Sequence, residues 1–294
     1  MKIHFRPLRV AMAAIVAVTA TFLGAPSANA ALAATTISAL TRVNAISATN
    51  SFDAKGVGAT CPTGQRVVGG SAIAFGEPGV FVRVTGANIG VNGLDQGTLV
   101  YGAEEDETRS AGNWALTITA TCAVTPPGYE INLSPFGGEN SDSSRTAVAT
   151  CSPGKQLLGG FAIVSTGNFN VVLDDIQPST SLTSVFAQAF EDENGAANTW
   201  FLTAFAICAN PVAGLNVQFN SSETASPPAL QTTQVFCPSG TRALSGGGTI
   251  NSGFGQVDSA SLFVSNDHVN FSSTEDRNGF SGNWSRTAYA MCAT

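Results

Sequence analysis

The sequence predicts an all-β protein built as three tandem repeats of about 85–90 residues, each with one disulfide. Three observations carry that expectation. Similar phrases open on a cysteine three times: Cys61-Pro62-Thr63-Gly64, Cys151-Ser152-Pro153-Gly154 and Cys237-Pro238-Ser239-Gly240. Similar phrases also close on a cysteine eight residues after a tryptophan: Trp114 to Cys122, Trp200 to Cys208 and Trp284 to Cys292. Finally, beyond residue 30 no stretch sustains a 3.6-residue apolar period, whereas period-two alternation is frequent.

Residues 1–30 read as a signal peptide. Lys2, Arg6 and Arg9 precede an apolar run from Val10 to Leu23, and Ser27-Ala28-Asn29-Ala30 has the small-x-small form of a cleavage site. The run is too short for a membrane span, which needs ~20 apolar residues. The rest divides into repeats at 31–124, 125–210 and 211–294, with Pro-rich turns after Cys122 and Cys208. An aliphatic residue lies seven positions after each opening cysteine (Val68, Leu158, Leu244), and a glycine nine after it (Gly70, Gly160, Gly246).

The Trp-to-Cys phrases are expected to be strands. Trp200, Leu202, Ala204, Ala206 and Cys208 alternate with Phe201, Thr203, Phe205 and Ile207, as pleating requires. In the first repeat the second face is Ala115, Thr117, Thr119 and Thr121, which reads as a polar solvent face. The apolar Phe201, Phe205 and Ile207 of the middle repeat imply a covered face, with neighbouring repeats as the cover. Asn194-Gly195 and Asn278-Gly279 suggest hairpins just before these strands. Further strands are expected at Gln65–Ile73, Val80–Thr85, Val171–Asp174, Ser184–Phe190, Ser261–Ser265 and His268–Ser272. About six short strands per repeat suffice for a small antiparallel β-sandwich. One pseudo-three-fold β-prism shared by all three repeats is the alternative.

Six cysteines admit two schemes that respect the repeat. One pairs Cys61–Cys122, Cys151–Cys208 and Cys237–Cys292. The other pairs Cys122–Cys151, Cys208–Cys237 and Cys61–Cys292. The first is favoured, because duplicated modules must each hold themselves together. Bridges outweigh zinc or a catalytic thiol, since no Cys-x-x-Cys occurs and His268 alone follows the signal segment.

Composition narrows the function classes. The 294 residues carry 13 Lys+Arg and 20 Asp+Glu, a net charge of −7, and losing the three signal-segment cations makes it −10. No basic stripe suits nucleic acid. Only 11% of residues are charged, so the surface is set by Ser, Thr, Asn and Gly. No Gly-x-Ser-x-Gly elbow follows the signal, and His268 beside Asp267 occurs in one repeat only, so a Ser-His-Asp triad is disfavoured. Gly246-Gly247-Gly248 lacks the Lys-Ser/Thr of a phosphate loop. The charge that repeats is Glu105-Asp106, Glu191-Asp192 and Glu275-Asp276, each pair nine and eight residues before a tryptophan. These pairs are candidate ligand or calcium loops, because oxygen donors gather at a turn. The competing and preferred reading is a solvated, charged hairpin tip. The three tryptophans read as core plugs, and Tyr101, Tyr129 and Tyr289 as exposed contact residues.

Cys-Pro-x-Gly with aliphatic-x-Gly, then Trp-x-x-Thr-Ala-x-Ala-x-Cys, resembles a cysteine-stapled β repeat of secreted actinobacterial proteins. Cys151 to Gly160 with Trp200 to Cys208, and Cys237 to Gly246 with Trp284 to Cys292, carry the likeness most clearly. The first repeat departs at Thr117-Ile118-Thr119-Ala120-Thr121. The resemblance implies an exported β module and transfers no catalytic residue. A weaker likeness to the three-fold β-prism of vitelline membrane outer-layer proteins implies one shared axis. The expected function is therefore a secreted, non-catalytic, multivalent binding or structural protein acting on polysaccharide or cell-surface material. A hydrolase with paired carboxylates and a self-assembling surface component are the alternatives. No cofactor is expected beyond the calcium just mentioned.

Overall fold

The computed structural model describes residues 34–294, apart from 79, 91–95, 107–110, 139, 166–169 and 227–229. The predicted signal segment lies outside the described residues. All regular structure among them is β-strand, and no helix long and apolar enough to cross a membrane occurs among the described residues.

The first repeat supplies β1 (Thr41–Ile46), β2 (Ala54–Thr60), β3 (Gln65–Gly76), β4 (Val82–Ile89), β5 (Thr98–Glu105) and β6 (Trp114–Val124). The second supplies β7 (Glu130–Leu133), β8 (Ser144–Thr150), β9 (Gln156–Ser165), β10 (Val171–Pro178), β11 (Ser184–Glu191) and β12 (Phe201–Ala209). The third supplies β13 (Asn216–Ser221), β14 (Gln231–Phe236), β15 (Arg242–Asn251), β16 (Val257–Val264), β17 (His268–Glu275) and β18 (Ser285–Ala293). They form three six-stranded antiparallel sheets, ordered β1-β6-β3-β16-β17-β14, β7-β12-β9-β4-β5-β2 and β13-β18-β15-β10-β11-β8. In every sheet the first, sixth and third strands of one repeat run into the fourth, fifth and second strands of another.

This strand order decides between the two architectures. Each repeat has its own bridge, Cys61–Cys122, Cys151–Cys208 or Cys237–Cys292, so the within-repeat pairing holds. Three apolar clusters also follow the repeats for the most part. Yet no repeat completes a sheet by itself, and β3–β16 pairing joins the first repeat to the last. The molecule is a pseudo-three-fold β-prism, not three free-standing sandwiches.

Bulges make the joints. Residues Thr85, Asp174 and Ala260 are the extra residues in β4, β10 and β16, beside the contacts Gly86–Ile163, Ile176–Gly248 and Ser261–Ile73. A second set falls at Val68, Leu158 and Leu244, the repeated aliphatic position. A bulge bends and twists its strand, letting one strand leave its own layer for a neighbour's. Here the third strands meet closely: a Cβ on Gly69 would stand 2.0 Å from Leu244 O, and one on Gly159 2.4 Å from Val68 O. The third repeat carries Ser245 at this place, and its Oγ lies 3.2 Å from the missing Gly159 Cβ.

Two expectations need correction. Gly195 and Gly279 do turn with positive φ, but β11 and β12, like β17 and β18, lie in different sheets. The Asn-Gly turns therefore carry the chain between sheets, and the hairpins are instead β4–β5, β10–β11 and β16–β17. The second face of β6 is not all solvent, since Thr121 is fully buried. By contrast, the apolar face of β12 is covered as expected, because Phe205 and Ile207 join the first repeat's core.

Candidate functional site

The repeated Glu-Asp pairs are the natural starting point. They sit where β5, β11 and β17 end, and the Asp of each pair is almost fully buried. Solvated hairpin tips are thus excluded. The reason begins with the tryptophans, which are 0–1% exposed and fill the cores as predicted. Trp200 Nε1 donates to Glu191 Oε1 at 2.9 Å, and Trp284 Nε1 to Glu275 Oε1 at 3.0 Å. A buried indole N–H needs such an acceptor. In the first repeat Trp114 Nε1 has no hydrogen bond, and Glu105 interacts electrostatically with Lys55 instead.

Every tryptophan also lies under a cation. Lys55 Nζ is 4.4 Å from the Trp114 ring centroid, and the Arg145 and Arg286 guanidinium carbons are 5.2 and 5.6 Å from those of Trp200 and Trp284. Lys55 and Arg145 both stand six residues before an opening cysteine, where the third repeat has Gln231. Its cation comes from β18 instead, at the place of Leu116 and Leu202. A cation over an indole adds stability when desolvated, and here the contact survives a change of strand.

The aspartates have a different task. Asp192 accepts from Asn194 N at 2.9 Å and Asp276 from Gly279 N at 2.8 Å, fixing the turns that follow. Asp106 accepts from Arg277 N, across repeats, at 3.4 Å. The fourth strands add the other partners. Arg83, Val172 and Asp258 are the second residues of β4, β10 and β16, so one place in the repeat holds a cation, an apolar group and an anion. Arg83 lies 3.3 Å from Glu104, 3.8 Å from Asp258, and 3.9 Å from both Asp106 and Asp192. The side chains of Arg83, Asp106, Asp192 and Asp258 are 1–3% exposed.

Charge in this cluster is unbalanced. Burial pushes Asp258 up to about 7 and Asp276 up to about 6, with neighbouring carboxylates adding to the rise. Asp106, Asp192 and Glu104 are raised by burial too, against the pull of Arg83. Burial opposes the Arg83 charge, but Asp258, Glu104, Asp106 and Asp192 outweigh it and hold its pKa above the ordinary value. Among the described residues no group of three or more His, Cys, Asp or Glu side chains is arranged to hold a metal ion. Among the candidate calcium ligands, Asp106 and Asp192 face the Arg83 guanidinium.

A second acidic pair escaped sequence reading. Asp174 is the bulged residue of β10, and Asp175 follows it, accepting from Ile250 N at 3.2 Å. Both line a cavity of about 30 Å³ with Tyr101, Val84 and Phe271. Burial raises both carboxyls, Asp175 to about 6, and the neighbouring Asp175 carboxylate adds to the rise at Asp174. Neither carboxylate repeats in the other copies, so no periodic signal marked them.

The surface also departs from expectation. Tyr101 and Tyr289 are buried, and Tyr129 is half-buried with its hydroxyl donating to Val67 O at 2.8 Å, so the tyrosines are not the exposed contacts. The exposed aromatics are phenylalanines: Phe52, Phe136, Phe219, Phe236 and Phe254 are each at least 58% exposed. They do not fall at equivalent places in the repeats, which hid them from a reading based on repetition. His268 is half-buried, bonded to Asp267 at 2.8 Å, and sits between Phe236 and Phe263 at centroid distances of 5.5 and 6.3 Å. Compared with known family models and curated proteins, the chain matches none.

Proposed function

We propose that this is a secreted, non-catalytic binding or structural protein that engages polysaccharide or other cell-surface material through exposed phenylalanines on a low-charge surface. The observation that carries the reading is a division of labour among side chains. Five of the six repeated Glu-Asp carboxylates are buried, while five phenylalanines stand at least 58% exposed. Apolar rings in a Ser/Thr/Asn setting suit polyhydroxyl surfaces, where a ring stacks and neutral polar groups take the hydroxyls. Three disulfides fit the oxidising environment such a role requires. Because the exposed rings are not equivalent, multivalency would come from distinct patches on one rigid prism.

The paired-carboxylate hydrolase keeps one supporting observation, the raised carboxyls of Asp174, Asp175 and Asp258. An acid of that kind suits proton donation, but its side chain must reach substrate, and Asp258 is 1% exposed. The test is retention of the folded protein on cell-wall and polysaccharide fractions, beside variants with Phe136, Phe219 or Phe236 changed to Ala. Graded loss of retention is expected. No retention of the parent protein on any fraction, or release of new reducing ends, would overturn the reading.

A further inference from the structure

The first repeat differs from the others at one chemically reactive place. The residue before the second strand that bridges to each tryptophan is Asn50, Asn140 or Ala225. Five residues after the two asparagines stand Lys55 and Arg145. Only the first repeat therefore joins a side-chain amide to a primary amine. Lys55 is 9% exposed, closed over by Trp114 and Phe52, with Nζ 4.4 and 5.9 Å from their ring centroids. Its Nζ donates to Asn50 Oδ1, and at 3.2 Å to the Asn50 backbone oxygen. Asn50 is itself fixed: its N–H donates to Trp114 O at 3.3 Å, and its carbonyl accepts from Trp114 N at 3.0 Å. Phe52 N–H donates to Asn50 Oδ1 at 3.2 Å. Glu105, 1% exposed, is drawn to this segment by its own N–H, which donates to Asp53 O at 2.8 Å, and its carboxylate acts on the Lys55 charge.

We propose that Lys55 and Asn50 condense into an intramolecular isopeptide bond, with Glu105 as the proton carrier. Every part that acyl transfer needs is present: a nucleophile held beside its carbonyl, a donor on the carbonyl oxygen, and a buried acid–base group. The Lys55 ammonium passes a proton to the Glu105 carboxylate, and the neutral Nζ attacks Asn50 Cγ. The Nζ–Cγ bond forms while Phe52 N–H steadies the charge growing on Oδ1. Glu105 then returns its proton to Nδ2, the Cγ–Nδ2 bond breaks, and ammonia leaves. The remaining extra proton on Nζ goes with the ammonia as ammonium. An ammonium and a carboxamide thus become a secondary amide and an ammonium ion, without oxidant or cofactor. Desolvation lowers the Lys55 pKa, which favours the neutral amine, and Glu105 opposes that shift. Arg145 in the second repeat keeps the cation over its tryptophan but offers no amine of this reactivity.

Mass spectrometry of the exported, folded chain tests this. After reduction and trypsin, the fragment from Val43 to Arg66 is expected uncut at Lys55 and lighter by one ammonia, with branched fragment ions joining residues 50 and 55. Lys55→Arg, which retains the cation, should abolish the loss, and Glu105→Gln should abolish it or slow it at least tenfold. A wild-type fragment of full mass cut after Lys55 would refute the bond. So would an ammonia loss that persists in Lys55→Arg, because that signals cyclisation of Asn50 onto its own backbone. Bond formation at the wild-type rate in Glu105→Gln would remove the proposed proton carrier.

Discussion

Replacing Arg83 by Met gives the sharpest test of the acidic axis. Met fills most of the same volume, so the change is mainly one of charge. Arg83 sits 3.3–3.9 Å from four carboxylates. At an effective dielectric of 20 each such contact is worth about 4–5 kcal/mol of gross Coulomb attraction. Desolvation of the guanidinium and the proton uptake that follows its loss offset most of that sum. Measured losses on removing one partner of a buried charge cluster are about 3–5 kcal/mol. For a domain of this size that corresponds to roughly 10 °C in melting temperature. The loss should depend on pH, because the carboxyls left behind have raised pKa values and can neutralise themselves. At pH 7.5 the full deficit is expected, and at pH 4.5 less than half of it. Thermal and urea unfolding of both proteins at the two pH values measures this. A deficit under about 1 kcal/mol at pH 7.5, or one equally large at pH 4.5, would show that Arg83 does not hold the cluster together.

Other consequences follow from the same geometry. For the wild-type protein, Asp258 at about 7 and Asp276 at about 6 lie above the ordinary 3.8. A folded acid that binds its proton more tightly than the unfolded chain does contributes stability that is complete below about pH 4 and lost as pH rises through 6 to 7. Asp258 alone can account for up to ~4 kcal/mol, so urea midpoints should fall between pH 5 and pH 8, and a flat or rising profile would count against the buried cluster. Gly69→Ala should cost at least ~3 kcal/mol or prevent folding, because its Cβ would meet Leu244 O at 2.0 Å; a normal melting temperature would mean the third strands do not meet there. Replacing Cys151 and Cys208 together by Ala opens a bridge of sequence separation 57, with an expected loss of ~4 kcal/mol. Unfolding of that variant at an unchanged urea midpoint would contradict it.

Much of the fold was legible because repetition and pleating are local signals. The Trp-to-Cys phrases gave strands, the repeated cysteines narrowed the bridges to two schemes of which the favoured one holds, and the aliphatic residue at each seventh position turned out to mark a bulge. The candidate site was only half legible. The Glu-Asp pairs stood out by recurrence, but recurrence does not say which way a carboxylate points. Their reading as solvated tips failed because each Glu belongs near a core tryptophan and each Asp lies buried beside a turn. Arg83, Asp258, Asp174 and the exposed phenylalanines break the repeat, so a search for repeats passes over them.

What the sequence determined by itself is the unit: six strands, one bridge, one tryptophan plug and one acidic pair, three times over. Those features depend on residues close together or on side chains that must alternate. Only the tertiary structure decided that no unit completes its own sheets and that non-equivalent residues from different repeats meet near one axis. Strand partners across repeats are chosen by backbone hydrogen bonds at the bulged joints, and a backbone bond leaves almost no mark on residue type. The same is true of the Arg83 cluster, whose members come from all three repeats and become neighbours only when the prism closes.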